Sequence, residues 1–135
     1  MGMGVTISRS ILTGMKKASA IAAPCEACGL LLGAGTRIER FTECANVSDA
    51  PEIRFEIDPA ALFAALRAER AGGPKVLGYW HSHPSGDPTP SRTDAAMAAP
   101  DGKLWMIVGG ADITCWRAGE AGLWDRFAAE AWTPV

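Results

Sequence analysis

Apolar positions along the chain fall into short runs whose spacing changes from helical to continuous and back. Ile11, Leu12, Met15, Ala18 and Ala22 recur at helical spacing, with Ser8 before them as an N-cap and Pro24 after them as a stop. The spacing predicts a first helix. The run Cys28-Gly-Leu-Leu-Leu-Gly33, closed by Gly33-Ala34-Gly35, reads as a buried strand and a turn, with a second strand over 37–45. Residues 54–57 read as a third short strand. Asp58-Pro59 starts a helix favourably, a carboxylate cap followed by proline at the first helical position. Leu62, Phe63 and Leu66 are its expected inner face, and Gly72-Gly73-Pro74 its end. Residues 75–81 read as a strand, Ser91 opens a short helix through Ala98, and 104–108, 113–117 and 123–132 read as three closing strands. Alanines at 128, 129 and 131 leave a helix open for the last of these. The pattern predicts a mixed α/β (α+β) fold, with residues 1–135 as a single domain.

Composition narrows the functional classes. A chain of 135 residues that is 48% hydrophobic can bury a real, if small, core. Its formal net charge is −2, with no clustered Lys and Arg, so no nucleic-acid footprint is expected. No apolar run is long enough to span a bilayer. The start Met1-Gly2-Met3-Gly4-Val5-Thr6 fits a myristoylation pattern, but so short a pattern is commonly met by chance, and it reads as an ordinary start. Lys16-Lys17 interrupt the stretch 7–23, which argues against a signal peptide. The expected compartment is the cytoplasm, with the four cysteines as reduced thiols.

The chemistry is concentrated in the stretch YWHSHPSGDPTPSRTD, residues 79–94, which holds both histidines of the chain. Residues i and i+2 of a strand point to the same side, so His81 and His83 present two imidazoles in one direction. Catalytic zinc commonly takes three protein ligands and keeps one position for water. Asp94 is the candidate third ligand, brought back by a loop stiffened by Pro84, Pro88 and Pro90. Bland readings stand beside this one. His-x-His alone is a weak signal, and Ser91-x-x-Asp94 is a good capping box without any metal. The two uses of Asp94 are compatible, because a helix N-terminus favours an ionised carboxylate.

The assembled string His81-Ser-His83-Pro-x6-Ser91-x2-Asp94 resembles the signature of the JAMM (MPN-domain) zinc metalloprotease family, complete at every position of the pattern. Pro24-Cys-Glu26-Ala-Cys-Gly-Leu-Leu-Leu-Gly33 resembles that family's glutamate-bearing entry to its first strand. The resemblance covers nearly the whole chain. It implies a mixed, mostly antiparallel sheet flanked by helices, related in architecture to the zinc deaminase fold. It further implies Zn2+ held by His81, His83 and Asp94, water activated by Glu26, and assistance from Ser91. Without the motif, Glu26 would read as a surface carboxylate and Ser91 as a helix cap.

Two look-alikes carry less. Pro24-Cys25-x-x-Cys28 matches half of the zinc-deaminase signature, but the order is reversed and His83 stands where the deaminase needs its glutamate. Cys25 and Cys28 read instead as small residues, Cys28 buried, and Cys44 and Cys115 carry no motif. The loop HSHPSGDPTPSRTD also resembles that of RadC-type proteins, which implies a DNA-associated role as an alternative, but the charge balance disfavours it and the helical region those chains carry upstream is not present in this sequence. The segment around Glu26 resembles the small stand-alone prokaryotic JAMM peptidases. That resemblance implies hydrolysis of an amide at the C-terminal Gly-Gly tail of a ubiquitin-like or sulfur-carrier protein. The short stretch 95–103 leaves little room for the insertions that grip a second ubiquitin. An extended tail is expected to add along a sheet edge near the metal. The reading of a different class is a non-catalytic MPN scaffold. The complete set Glu26, His81, His83, Ser91 and Asp94 favours the enzyme.

Overall fold

The computed structural model describes residues 4–135, so the myristoylation-like start, Met1 to Met3, lies outside the described residues. In chain order the elements are β1 (Val5–Ile7), α1 (Arg9–Ala22), β2 (Cys28–Ala34), β3 (Arg37–Phe41), α2 (Pro59–Arg70), β4 (Lys75–Ser82), α3 (Arg92–Met97), β5 (Leu104–Gly109), β6 (Asp112–Leu123), β7 (Phe127–Ala129) and β8 (Trp132–Pro134). The strands form one sheet in the order β7-β6-β5-β4-β2-β3-β1-β8. Pairs β2–β3, β2–β4, β5–β6 and β6–β7 are antiparallel; β1–β3, β1–β8 and β4–β5 are parallel. The architecture is the mixed, mostly antiparallel α+β sheet expected from the sequence.

Alternation along the central strands sends side chains to two separate layers. On one face Leu31, Trp80, Leu104, Met106 and Val108 pack with Ile11, Met15 and Ala18 of α1. On the other, Leu30, Leu32 and Val76 meet Leu62, Ala65 and Leu66 of α2, and further along Cys28, Trp105 and Phe127 meet Phe55 and Ala98. Ser8 caps α1 by accepting from the Ile11 amide, and Asp58 caps α2 by accepting from the Ala60 amide, with Pro59 next to it as expected. No helix among the described residues is long and apolar enough to cross a membrane.

Four expectations are corrected. Phe63 is 64% exposed and does not belong to the inner face of α2. The stripe that packs is Leu62, Ala65 and Leu66, continued by Glu69, whose carboxylate accepts from the Val76 amide at 2.8 Å, and Phe63 lies round the helix from it. The second strand ends at Phe41 rather than residue 45, because Thr42 takes over the ladder with its side chain. Its hydroxyl accepts from the Leu30 amide, while its carbonyl is diverted to the indole N–H of Trp80. The approach is so close that a Cβ on Gly29 would lie 1.7 Å from the Thr42 carbonyl oxygen. Residues 54–57 form a loop with one isolated bridge, Asn46 to Ile57, not a strand. The Asn46 side chain holds that loop in place of a ladder: its amide donates to the carbonyls of Glu26 and Arg54, and its oxygen accepts from the Ser48 and Glu56 amides. Finally, the segment 123–132 is neither one strand nor a helix. A left-handed turn at Trp124 and Asp125 splits it into the end of β6, then β7 and β8. The short β1, which the periodicity did not predict, lies between β3 and β8 and pairs with both.

Candidate metal centre

The site lies at the C-terminal end of β4 and is set by strand register. Cys28 pairs with His81 across the antiparallel β2–β4 ladder. Continuing that register puts Ala27 across from Ser82 and Glu26 across from His83. The first of these is made explicitly: Ser82 donates its amide to the Ala27 carbonyl at 3.0 Å, and its hydroxyl accepts from the Ala27 amide at 2.8 Å. Directly opposed residues share a face, which brings the Glu26 carboxylate toward the imidazoles. On the other flank the His83 amide donates to Val108 at the end of β5.

The loop after His83 returns across the end of β5. A Cβ on Gly109 would sit 2.5 Å from the Pro88 nitrogen, so only glycine lets the proline loop lie this close. The loop delivers Ser91 and Asp94 as the capping box expected from the sequence. The Ser91 hydroxyl accepts from the Asp94 amide at 2.9 Å, and Asp94 Oδ2 accepts from the Ser91 amide at 3.0 Å. A hydroxyl that accepts in a cap still has its own proton to donate.

Glu26, His81, His83 and Asp94 are buried, and each offers a ligand atom within 4.8 Å of the others. Three of these atoms are closer still. His81 Nε2, His83 Nε2 and Asp94 Oδ2 form a triangle with every side 3.1 Å. Ligands about 2.0 Å from a tetrahedral zinc are separated by about 3.3 Å, so the triangle has the size of one face of such a site. The tautomers agree. His83 Nδ1 must donate to the Asp87 carbonyl at 2.8 Å, since a carbonyl only accepts. Neutral His83 therefore turns an Nε2 lone pair toward Asp94 Oδ2, an acceptor facing acceptors unless a cation lies among them. The Oε1 of Glu26 is buried with no partner of its own. The donor set, two imidazoles and carboxylates, suits zinc.

The fields in the site follow from burial and these contacts. Burial pushes the Glu26 carboxyl up to about 7, with His83 pulling it down and Asp94 adding to the rise. Burial would also raise Asp94, but hydrogen bonds from His81 and His83 outweigh it and hold the carboxyl well below the usual range. Burial lowers His81, which is fully enclosed. At His83 burial acts downward too, but Asp94 and the Asp87 carbonyl win and raise it. The net effect is a pocket that attracts positive charge.

Several residues that position the site were not singled out from the sequence. Phe55 stacks on the His81 ring, with centroids 4.4 Å apart and planes at 24°, and Trp105 meets that ring edge-on at 5.6 Å. Asp87 fixes the His83 tautomer through its backbone, which no side-chain pattern announces. Asn46 anchors Glu26 from behind. The four cysteines are free thiols outside the group of Glu26, His81, His83 and Asp94, and Cys28 is buried, as expected. Burial pushes its thiol up to about 12. In front of the four buried groups opens a cleft of about 430 Å³, lined among others by Glu26, His83, Ser91, Ile53 and Trp124.

Comparison with known proteins agrees with this geometry. The family described as prokaryotic homologs of the JAB domain matches residues 9–119. A desampylase of Haloferax volcanii is 33% identical over 100 residues, covering 73% of this chain and 72% of that protein. A probable TtuB-protein conjugate cleaving protease of Thermus thermophilus is 33% identical over 97 residues, 72% of this chain and 65% of the other. The solution structure of a protein from Desulfitobacterium hafniense superimposes with a TM-score of 0.82 at 26% identity, covering 97% of this chain and 92% of that one. With the motif complete and the fold matched end to end, the chain belongs to the prokaryotic homologues of the JAB domain, small members of the JAMM family.

Proposed function

We propose that the protein is a zinc-dependent amide hydrolase of the cytoplasm that releases what is attached to the C-terminal Gly-Gly tail of a ubiquitin-like or sulfur-carrier protein. The observation that carries the reading is the 3.1 Å triangle of His81 Nε2, His83 Nε2 and Asp94 Oδ2, with the Glu26 carboxylate beside it at the base of an open cleft. The relatives described as desampylase and as TtuB-protein conjugate cleaving protease support the substrate class. Free thiols at all four cysteines suit a reducing compartment.

In this reading His81, His83 and Asp94 hold the metal. Zinc bound there would supply a water with its pKa lowered to about 7 and a Lewis acid for the scissile carbonyl. Glu26, desolvated and poised near neutrality, takes a proton from the attacking water as its oxygen bonds to the carbonyl carbon. The Ser91 hydroxyl donates to the oxyanion that develops there. Glu26 then passes the proton to the leaving nitrogen as the carbon–nitrogen bond breaks, giving an amine and a carboxylic acid, whose remaining proton passes to the amine to leave a carboxylate and an ammonium. Phe55, stacked on the His81 ring, and Trp105, edge-on to it, hold that ring, and the Asp87 carbonyl holds His83. The test is mass spectrometry of carrier proteins extended beyond Gly-Gly, incubated with the protein with and without a chelator. Cleavage after the glycines that stops with chelator is expected. Cleavage indifferent to a bulky residue in place of the last glycine would replace the reading with a general peptidase.

A further inference from the structure

The tip of the turn between β6 and β7 carries an indole where the backbone favours a much smaller residue. Trp124 and Asp125 have φ of 55° and 52°, just after Gly122 at 82°. Consecutive left-handed residues in a tight turn are ordinarily Asn, Asp or Gly. Such strain persists only where surrounding contacts over-determine it, and it clusters at ligand sites. The contacts here reach far from the turn. Trp124 Nε1 donates to the Pro90 carbonyl at 2.9 Å, and the Arg92 guanidinium lies 4.1 Å from the ring centroid. Pro90 and Arg92 are the two neighbours of Ser91. The residue is still 39% exposed. It lines both the cleft containing Glu26, His83 and Ser91 and a second cleft bounded by Arg92, Ala95 and Asp125. A rigid aromatic ring, fixed at its nitrogen and against a cation, therefore stands at the border of the site.

We propose that Trp124 is a substrate-binding residue, the wall against which the glycine tail packs on the acyl side of the scissile amide, and that it selects for glycine there. The inference rests on the amide-hydrolase reading above. Ser91 meets the carbonyl oxygen of the last glycine, and Trp124 is bonded to the residues on either side of Ser91. The tail residues contributing that carbonyl are thus the part of the substrate closest to the indole. A glycine backbone lies flat against an aromatic face, whereas a Cβ must displace a ring that is held at two points. Tryptophan gives a large contact at small entropic cost, the property that concentrates binding energy in such residues.

The experiment combines binding and kinetics on the zinc-loaded full chain. A short synthetic peptide ending in Gly-Gly is titrated while the indole N–H signals are followed by NMR, with Trp124 assigned by its loss in Trp124→Phe. The Trp124 signal is expected to move. Trp124→Ala should weaken peptide binding about tenfold, raise KM more than it lowers kcat, and narrow the preference for Gly over Ala before the scissile bond by a similar factor. Trp124→Phe, which keeps a ring without the bond to Pro90, should retain most of the affinity. A bound peptide that leaves the Trp124 signal still would overturn the proposal. So would a fall in kcat at unchanged KM, shared by both variants, because that pattern belongs to a brace for Ser91. If Trp124→Ala does not fold, the NMR titration and Trp124→Phe still decide. Failure of the wild-type protein to cleave any Gly-Gly conjugate removes the hydrolase reading and this inference together. Cleavage by the wild type with unaltered Trp124→Ala kinetics removes the inference alone.

Discussion

His81 has one ring nitrogen in the donor triangle, the other enclosed without a partner, and an aromatic ring stacked on its face. In the proposed reading a side chain so enclosed is held for its Nε2 lone pair, and the expected outcomes at this scale follow from that. Protein prepared with zinc should bind about one ion per chain, His81→Ala should lose it, and Cys28→Ser should keep it, by elemental analysis. Loss of metal from the cysteine variant would reassign the site. Glu26→Gln should retain zinc and fold but lose turnover, since Gln is nearly isosteric and cannot take a proton at neutral pH. Retained activity would place the base elsewhere. Ser91→Ala should be milder, about 10²–10³ in rate for one oxyanion donor. It also removes a cap worth about 1 kcal/mol, so melting is measured before the kinetics are read.

At the scale of elements, the decisive piece is the loop between β3 and α2, which has no ladder to hold it. One side chain, Asn46, bonds the backbone of Glu26, Ser48, Arg54 and Glu56. The same loop supplies Pro51, whose carbonyl accepts from the Glu26 amide at 2.7 Å, and Phe55, which packs on His81. Asn46→Ala leaves several partly buried polar groups to find water, at about 1–3 kcal/mol for each one that stays unsatisfied. The expected result is local: faster hydrogen exchange across 46–56 and reduced turnover, with exchange in α1 and β5 unchanged. Uniform loss of protection throughout the chain would show that the loop is not an independent unit.

For the whole molecule, two buried thiols link stability to pH. Burial raises both Cys28 and Cys115 to about 12. Unfolding returns them to water, where a thiol ionises at about 8.5. Each folded-state pKa is thus above its unfolded value, so the stabilisation is complete below about 8.5 and is lost as pH rises toward 12. Chemical denaturation between pH 8 and 11 should show falling stability whose slope is reduced in a Cys28→Ala, Cys115→Ala variant. An identical slope would assign the alkaline loss to other groups.

Local chemistry was legible along the chain: the Ser8, Asp58 and Ser91 caps, the apolar run of β2, the pairing of His81 with His83, and Asp94 at the head of α3. These are set by residues within a few positions of one another, which is the range over which periodicity and capping act. What the tertiary structure decided lies at long separation. Thr42 ended β3 through contacts with Leu30 and Trp80, and the packing of α2 left Phe63 outside while seating Ala65. Asn46, Phe55 and Trp124 each reach the site or its neighbours from positions that no local pattern marks. The sequence by itself determined which groups are candidates for the chemistry. The β2–β4 register, set by backbone hydrogen bonds and by which face each side chain must bury, decided that Glu26 would meet them.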